Sequence, residues 1–503
     1  MVKSRKNHTF YHFCFAIIIT MLYNNNINIC TKYNLIFFKG GISMLDPLLL
    51  ARIQFAATTV FHFFFVPITI GMVFLIAIFE SIYVKTGDEH YKRITKFFGH
   101  LFLINFAVGV VTGILQEFQF GMNWSEYSSF VGDVFGPSLA VEALLAFYLE
   151  STFIGIWIFS WEKINKKLHV MCIWLVSIGT LMSAFWILSA NSFMQHPVGV
   201  KYVENGVIGK KAEMIDFFAI VKNPYLWNQF PHVVTMALTV GAFTIAGIAS
   251  WKMLRKHEVE MFRKAFKVSI VAALIGSLGL FVTGHSQMQY LVREYPMKVA
   301  AAEALYEDTG NSAPFSVLAT IDQKQQKAEH YLEVPGMLSF LAYDKFEGSL
   351  KGMKSLQKEM DEKYYPVVGK HIDYTPHVPT IYYSFRIMSG SVGILILMAL
   401  LGTIYSFKRT ETKKRWFLQL MPWTLLVAEV ATACGWIMAE MGRQPFLIFG
   451  VMATESGVSP NSGASVLFSL LVFCVLYTIL GITQYIAFRY AMNKKETTVK
   501  EVA

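Results

Sequence analysis

Nine stretches of this chain are long and apolar enough to cross a bilayer, and nothing else constrains its fold as strongly. They lie at approximately 53–79, 97–119, 135–160, 169–193, 231–250, 267–291, 380–407, 416–440 and 464–488. A spanning helix needs about 20 mostly apolar residues. Inside lipid every backbone polar group must be satisfied internally, so only helices and closed barrels span. Barrel strands show short alternating segments rather than continuous apolar runs. The sequence therefore predicts an all-α, polytopic membrane helix bundle with nine transmembrane helices. Composition agrees: 54% of the 503 residues are hydrophobic and only 16% are charged, against about 25% charged in an average soluble domain.

The formal net charge of +10 could suit nucleic acid, but its placement argues for a membrane. Basic residues gather in alternate loops: Lys85, Lys92, Arg93 and Lys96; Lys163, Lys166 and Lys167; Lys252, Arg255, Lys256, Arg263 and Lys264; Lys408, Arg409, Lys413, Lys414 and Arg415; and Arg489, Lys494, Lys495 and Lys500. Segment 121–136 has no basic residue, and 441–463 has only Arg443. This is the positive-inside pattern. It predicts that the first span starts outside and that the C-terminal tail, 491–503, is cytoplasmic.

Residues 1–43 form a basic, partly apolar extension without a convincing small-residue cleavage site. "KGGIS" precedes Met44 and "MLDPLLLARIQF" is a natural beginning, so translation from Met44 is the favoured expectation, with a signal-like segment as the alternative. The five cysteines, Cys14, Cys30, Cys172, Cys434 and Cys474, show no metal-binding spacing, and no C-x-x-C-H haem attachment motif is present. Spans 1–6 occupy 44–291 and spans 7–9 occupy 380–490. Between them lies a polar segment, 292–379, outside by this topology and long enough to be functional or disordered.

Polar groups within the spans are expensive and point to function. They are His62, Glu142, Glu150, Asn191, His232, Arg386, Met388, Glu429 and Glu440. Taken singly, each has an ordinary structural reading. A lone membrane His is often a hydrogen-bonded packing residue, Met fills core gaps, and Glu440 with Arg443 could form an i,i+3 surface pair. Glu142 and Glu150 are about 80° apart on a regular helix, so both can face one bundle interior. His100, His169, His196 and His285 sit near span ends or in loops and read as structural. Together, His and Met available as axial haem ligands and carboxylates spaced for a proton relay suggest a membrane redox enzyme.

The blocks "FHFFFVPITIGMVFLIAIFE", "GVVTGILQEFQFGMNWSEYSSFVGDVFGPSLAVEALLAFYLEST", "FRIM" and "GWIMAEMGRQPF" carry a resemblance over essentially residues 44–490. They resemble the haem-bearing subunit I of cytochrome bd-type quinol oxidases, in the form with a shorter outer loop. The resemblance implies quinol oxidation near the outer surface and reduction of O2 to water, using two haem b groups, one low-spin and one high-spin, and one haem d. Protons come from the cytoplasm, so a membrane potential builds without pumping. It further implies a second integral membrane subunit, subunit II, with room for a small accessory membrane subunit, in the bacterial cytoplasmic membrane.

Residue by residue, the resemblance places His232 and Met388 at the low-spin haem b. It places His62 and Glu440 at the other two haems, without dividing them. Glu142, Glu150, Ser183 and Asn191 match positions of the proton route. Trp436 matches a residue placed to pack on a porphyrin or pass electrons, and Arg386 and Arg443 match partners for haem propionates. Lys298 and Glu303 match the start of the quinol-binding loop, where they can converge on a headgroup. Some positions depart from the family pattern. Ala433 stands where an acid is common, with Glu429 one turn earlier, and His100 stands where a Lys is common. A haem-copper oxidase would need more intramembrane histidines. A proton-coupled transporter would use Glu142, Glu150 and Glu429 but leave His232, Met388 and Glu440 unexplained.

Overall fold

The computed structural model describes residues 46–205, 209–368 and 371–493. The 1–43 extension and the tail beyond 493 lie outside these residues. Among the described residues, nine helical segments are long and apolar enough to span a membrane, as expected. The first span is α1, Pro47–Phe63, continued after a break by α2, Val66–Thr86. Then come α3, Glu89–Asn123, and a third span of α4, Ser125–Val141, a π turn, Glu142–Phe147, and α5, Tyr148–Phe159. The fourth and fifth spans are α6, Lys166–Gln195, and α8, Pro224–Leu254, separated by a hairpin (β1, Val200–Asn205; β2, Gly209–Met214) and the short α7, Phe217–Val221. The sixth is α9, Val259–Glu294.

Segment 292–379 is folded. It contains α10, Pro296–Ala302, an antiparallel hairpin (β3, Phe315–Asp322; β4, Lys327–Val334), α11, Met337–Tyr343, and α12, Met353–Val368. Its apolar residues share a core with the ends of the spans, in which Tyr225, Tyr295, Leu338, Leu356, Tyr374, Tyr382 and Phe446 are buried. The last three spans are α13, Val378–Phe407, α14, Arg415–Met441, and α15, Gly463–Asn493; β5, Phe446–Ile448, pairs with β6, Met452–Ala453, between the last two.

Local chemistry sets the helix starts. Asp46, Asp88, Asn165 and Asn223 each accept a backbone N–H of the first turn, and Pro47 and Pro224 occupy first-turn positions that need no donor. Small residues set the closest crossing. A Cβ on Gly71 of α2 would stand 2.1 Å from the Ala237 carbonyl oxygen of α8, and one on Gly241 would stand 2.4 Å from the Gly71 carbonyl carbon. In lipid, where packing rather than water drives association, such contacts hold helices together. Four helices close a ring: α8 packs on α9, α9 on α13, α13 on α14, and α14 back on α8. The helices carrying His232 and Met388, α8 and α13, stand across that ring from each other.

Candidate functional site

His62 lies in the last turn of α1, just before the break. Pro67 has no N–H and its ring crowds the carbonyl four residues back. The chain tightens there, with the Phe65 N–H donating to the His62 carbonyl at 3.0 Å. The His62 ring meets α3: Nδ1 is 2.9 Å from Thr112 Oγ1. His232 follows Pro231 within α8, and its Nδ1 is 3.0 Å from Thr283 Oγ1 on α9. In both rings Nε2 has no hydrogen-bond partner among the described residues. Met388 lies on α13, where a Cβ on Gly435 of α14 would stand 3.1 Å from its sulfur.

Glu440, at the end of α14, sits in a polar cluster drawn from three helices. Its Oε1 accepts from Asn191 Nδ2 at 3.0 Å and Gln195 Nε2 at 3.3 Å, both on α6. Its Oε2 accepts from Arg443 NH2 at 2.5 Å. Gln229 of α8 supports Asn191 at 3.1 Å. Arg443 is only 3% exposed, and its Nε and NH1 are buried without a partner. Arg443 is therefore an interior charge, while the Glu440 side chain is 33% exposed. Trp436, one turn before Glu440, packs edge-on against Phe63 with ring centroids 4.9 Å apart. It also packs on the cluster of Leu188, Leu226 and Val233. It thus touches the neighbour of His62 and lies against the cluster that holds the neighbour of His232.

Glu142 opens the π turn, and Glu150 follows it. A π turn winds less per residue than an α-helix, which reduces the separation expected on a regular helix. Both carboxylates face α6. Ser183 Oγ donates to Glu142 Oε1 at 2.5 Å. A Cβ on Gly179, one turn earlier, would stand 2.7 Å from Glu150 Cγ. Glu150 is 5% exposed, with Oε1 buried and unpartnered.

Lys298 and Glu303 do not bond each other. Residues 296–302 form a helix, and a five-residue separation on a helix is about 140°. Lys298 Nζ donates to Gln195 Oε1 at 2.8 Å and so joins the Glu440 cluster. Glu303 accepts from Arg386 NH2 at 2.6 Å and NH1 at 3.3 Å. Arg386 also donates to the Ser316 carbonyl at 2.5 Å, so its guanidinium is engaged within segment 292–379. Burial pulls the Lys298 ammonium down to about 7, against the opposing pull of Glu440. Burial pushes the Glu303 carboxyl up to about 7, with Arg386 opposing.

Gln195, Gln229 and Glu80 had no sequence signal of comparable strength. Gln195 and Gln229 join the Glu440 cluster only because α6, α8 and α14 meet. Glu80, 1% exposed, accepts from Trp157 Nε1 at 2.7 Å and lies 2.5 Å from His169 Nδ1, making that histidine part of a buried polar cluster. Glu429 is 7% exposed with Oε1 unpartnered.

These residues fit a haem. Each candidate imidazole is fixed at one nitrogen and bare at the other. Gly113 and Gly284 leave the rings uncrowded, with an added Cβ 3.2 Å from His62 Cε1 and 3.4 Å from His232 Cε1. Two buried donors of Arg443 await an anionic partner such as a propionate. Among the described residues no three His, Cys, Asp or Glu side chains converge as a metal cage, so an iron here would need the equatorial nitrogens that a porphyrin provides.

Fold and site together define a polytopic membrane protein whose interior His, Met and Glu side chains could hold a haem. The chain belongs to the cytochrome bd terminal oxidase subunit I family, whose sequence model matches residues 50–496. It is 52% identical over 439 residues to "Cytochrome bd ubiquinol oxidase subunit 1" of Bacillus subtilis (strain 168), covering 87% of this chain and 92% of that one. It is 35% identical over 501 residues to "Cytochrome bd-II ubiquinol oxidase subunit 1" of Escherichia coli (strain K12), covering 89% and 97%. Among solved structures, the bd oxidase from Geobacillus thermodenitrificans superposes with a TM-score of 0.80 at 28% identity, covering 90% of this chain and all of that chain.

Proposed function

We propose that this chain is the haem-bearing subunit of a quinol:O2 oxidoreductase of a bacterial cytoplasmic membrane, working with a second integral subunit and open to a small accessory one. The observation that carries this is Trp436, packed on Phe63 beside His62 and on the cluster containing Val233 beside His232. His232 and Met388 would hold a low-spin haem b; His62 and Glu440 would hold a high-spin haem b and a haem d. When bound, the haems carry electrons from quinol and supply the iron at which O2 is reduced to water.

The chain's own residues place the protons. The C-terminus is cytoplasmic, and the folded segment 292–379 lies outside with the quinol site. There Glu303, held by Arg386, accepts a quinol proton, and Lys298 ties the same region to Glu440 through Gln195. Glu150 and Glu142, both against α6, carry cytoplasmic protons inward with Ser183, and Asn191 orients Glu440. Separating release outside from uptake inside builds a membrane potential without pumping; each charge crossing 100 mV is worth about 2.3 kcal/mol.

The deciding experiment is an optical spectrum of the purified two-subunit complex with quinol-driven O2 consumption. A far-red haem d band with quinol oxidation is expected; a colourless, inactive preparation rejects the reading. The donor site is tested on the same preparation. Glu303→Gln should lower quinol oxidation by about 100-fold or more, the general acid–base range, while sparing O2 consumption driven by a small direct reductant. Lys298→Ala, which disturbs the Glu440 cluster, should slow both donors. Glu303 must be ionised to accept a proton, so the wild-type quinol rate should fall as pH drops through about 7, and that acid limb should vanish in Glu303→Gln. Equal losses with both donors in Glu303→Gln would refute its role.

For proton uptake, Glu150→Gln keeps shape but cannot titrate. O2 reduction should slow by about 100-fold or more, with the full haem spectrum and CO binding retained. Normal turnover would remove Glu150 from the route.

A further inference from the structure

Two distant parts of the chain carry the same tripeptide, Val-Thr-Gly: Val111–Gly113 on α3 and Val282–Gly284 on α9. Each faces one of the two candidate axial histidines, across a helix contact and in the same way. Thr112 Oγ1 is 2.9 Å from His62 Nδ1, and Thr283 Oγ1 is 3.0 Å from His232 Nδ1. The glycine that follows each threonine lies under the ring, where an added Cβ would approach Cε1 to 3.2 Å at Gly113 and 3.4 Å at Gly284.

The hydroxyl protons decide the direction of these bonds. Thr112 Oγ1 donates back along its own helix, to the Gly109 carbonyl at 2.9 Å or the Val108 carbonyl at 3.1 Å. Thr283 Oγ1 donates to the Gly279 carbonyl at 2.8 Å. A serine or threonine hydroxyl has one proton and two acceptor lone pairs, and a carbonyl only accepts. A hydroxyl whose proton goes to its own helix carbonyl is an acceptor toward its histidine. Nδ1 must then carry the hydrogen, and in a neutral imidazole Nε2 must carry the lone pair.

We infer that Thr112 and Thr283 are positioning residues, each in a Val-Thr-Gly cradle, that lock His62 and His232 in the tautomer and ring orientation presenting Nε2 to a haem iron. The inference rests on the axial-ligand reading above. An acceptor on the distal N–H of a ligating histidine raises its basicity, and loss of such partners typically costs about 10–100-fold in metal affinity or activity. A more basic ligand favours the oxidised metal, so removing the acceptor should move the haem potential upward.

The test uses the complete oxidase carrying Thr112→Val, Thr112→Ser, Thr283→Val or Thr283→Ser, with His62→Ala and His232→Ala as references. Spectroelectrochemical titration gives the midpoint potential of each haem, and transfer to apomyoglobin gives its rate of loss. Thr112→Val should raise the potential of the haem held by His62 and speed its loss by about 10-fold or more, leaving the other haems unmoved. Thr283→Val should do the same to the low-spin haem alone. The serine variants should restore both values. Should either valine variant fail to accumulate, the alanine variant at that position takes its place against serine. Wild-type potentials and retention in the valine or alanine variants overturn the inference, and so does equal disturbance by serine and valine, which would trace the effect to packing. The references separate the two readings. Full haem content in His62→Ala or His232→Ala rejects that ligand assignment itself; loss there with unaltered threonine variants rejects only the cradle.

Discussion

Replacing Met388 by Leu, or His232 by Ala, is expected to abolish the low-spin haem b signal while the far-red band persists. A six-coordinate haem needs both axial ligands, and the thioether and imidazole proposed for it lie on helices that face each other across the α8–α9–α13–α14 ring. Leu keeps nearly the volume of Met, and such swaps usually cost under about 1.5 kcal/mol. Loss of the signal in Met388→Leu would therefore be due to the missing sulfur rather than to a collapsed helix. His232→Ala also empties the space beside Thr283 and should lower haem content outright. Reduced-minus-oxidised spectra and pyridine haemochrome assays on both variants settle the matter. An unchanged low-spin band in the two together would overturn the pairing.

The second large effect is expected at Glu440. Glu440→Ala strips Arg443 of its carboxylate, although Arg443 is 3% exposed and already has two donors unpartnered. It also leaves Asn191 and Gln195 without their shared acceptor, and Lys298, bonded to Gln195, faces Arg443 with no anion between them. Breaking a fully buried ion pair by removing one partner typically costs about 3–5 kcal/mol, and with the Glu440 side chain 33% exposed the cost here should fall below that range. We expect loss of one haem and a clear drop in thermal unfolding temperature. Glu440→Gln keeps the acceptor oxygen for Asn191 but not the charge, so it should retain more stability than Glu440→Ala while still losing the haem. Adding Arg443→Leu to Glu440→Ala should recover stability without recovering haem. A full haem complement in Glu440→Ala would show that the carboxylate is only the counter-ion of Arg443.

Much of this was written locally. Nine apolar runs must become nine helices in lipid, because no other continuous structure satisfies its own backbone there. The cost of polar groups in that medium made His62, Glu142, Glu150, His232 and Glu440 stand out one by one, and the "GRQP" block with its neighbours pointed to the family. The Val-Thr-Gly repeat was present too, but a threonine in a membrane helix ordinarily bonds to its own backbone. Only the position of a histidine on another helix gives it a further role.

What the sequence alone determined, then, was the architecture and the identity of the costly residues, since helix formation and burial energy depend on composition and spacing within one segment. What only the tertiary structure decided was partnership. Lys298 and Glu303 are five residues apart and match one loop motif, yet a short helix from Pro296 to Ala302 turns them away from each other. One joins Gln195 and Glu440, while the other is bonded by Arg386. Segment 292–379 had no apolar run to predict order, but it folds because its scattered tyrosines and leucines share a core with the ends of the spans. Asn191 and Glu440 meet across 249 residues of chain, Thr112 and His62 across 50. Hydrogen bonds reach about 3 Å, so such pairings depend on how whole helices pack, which no local pattern specifies.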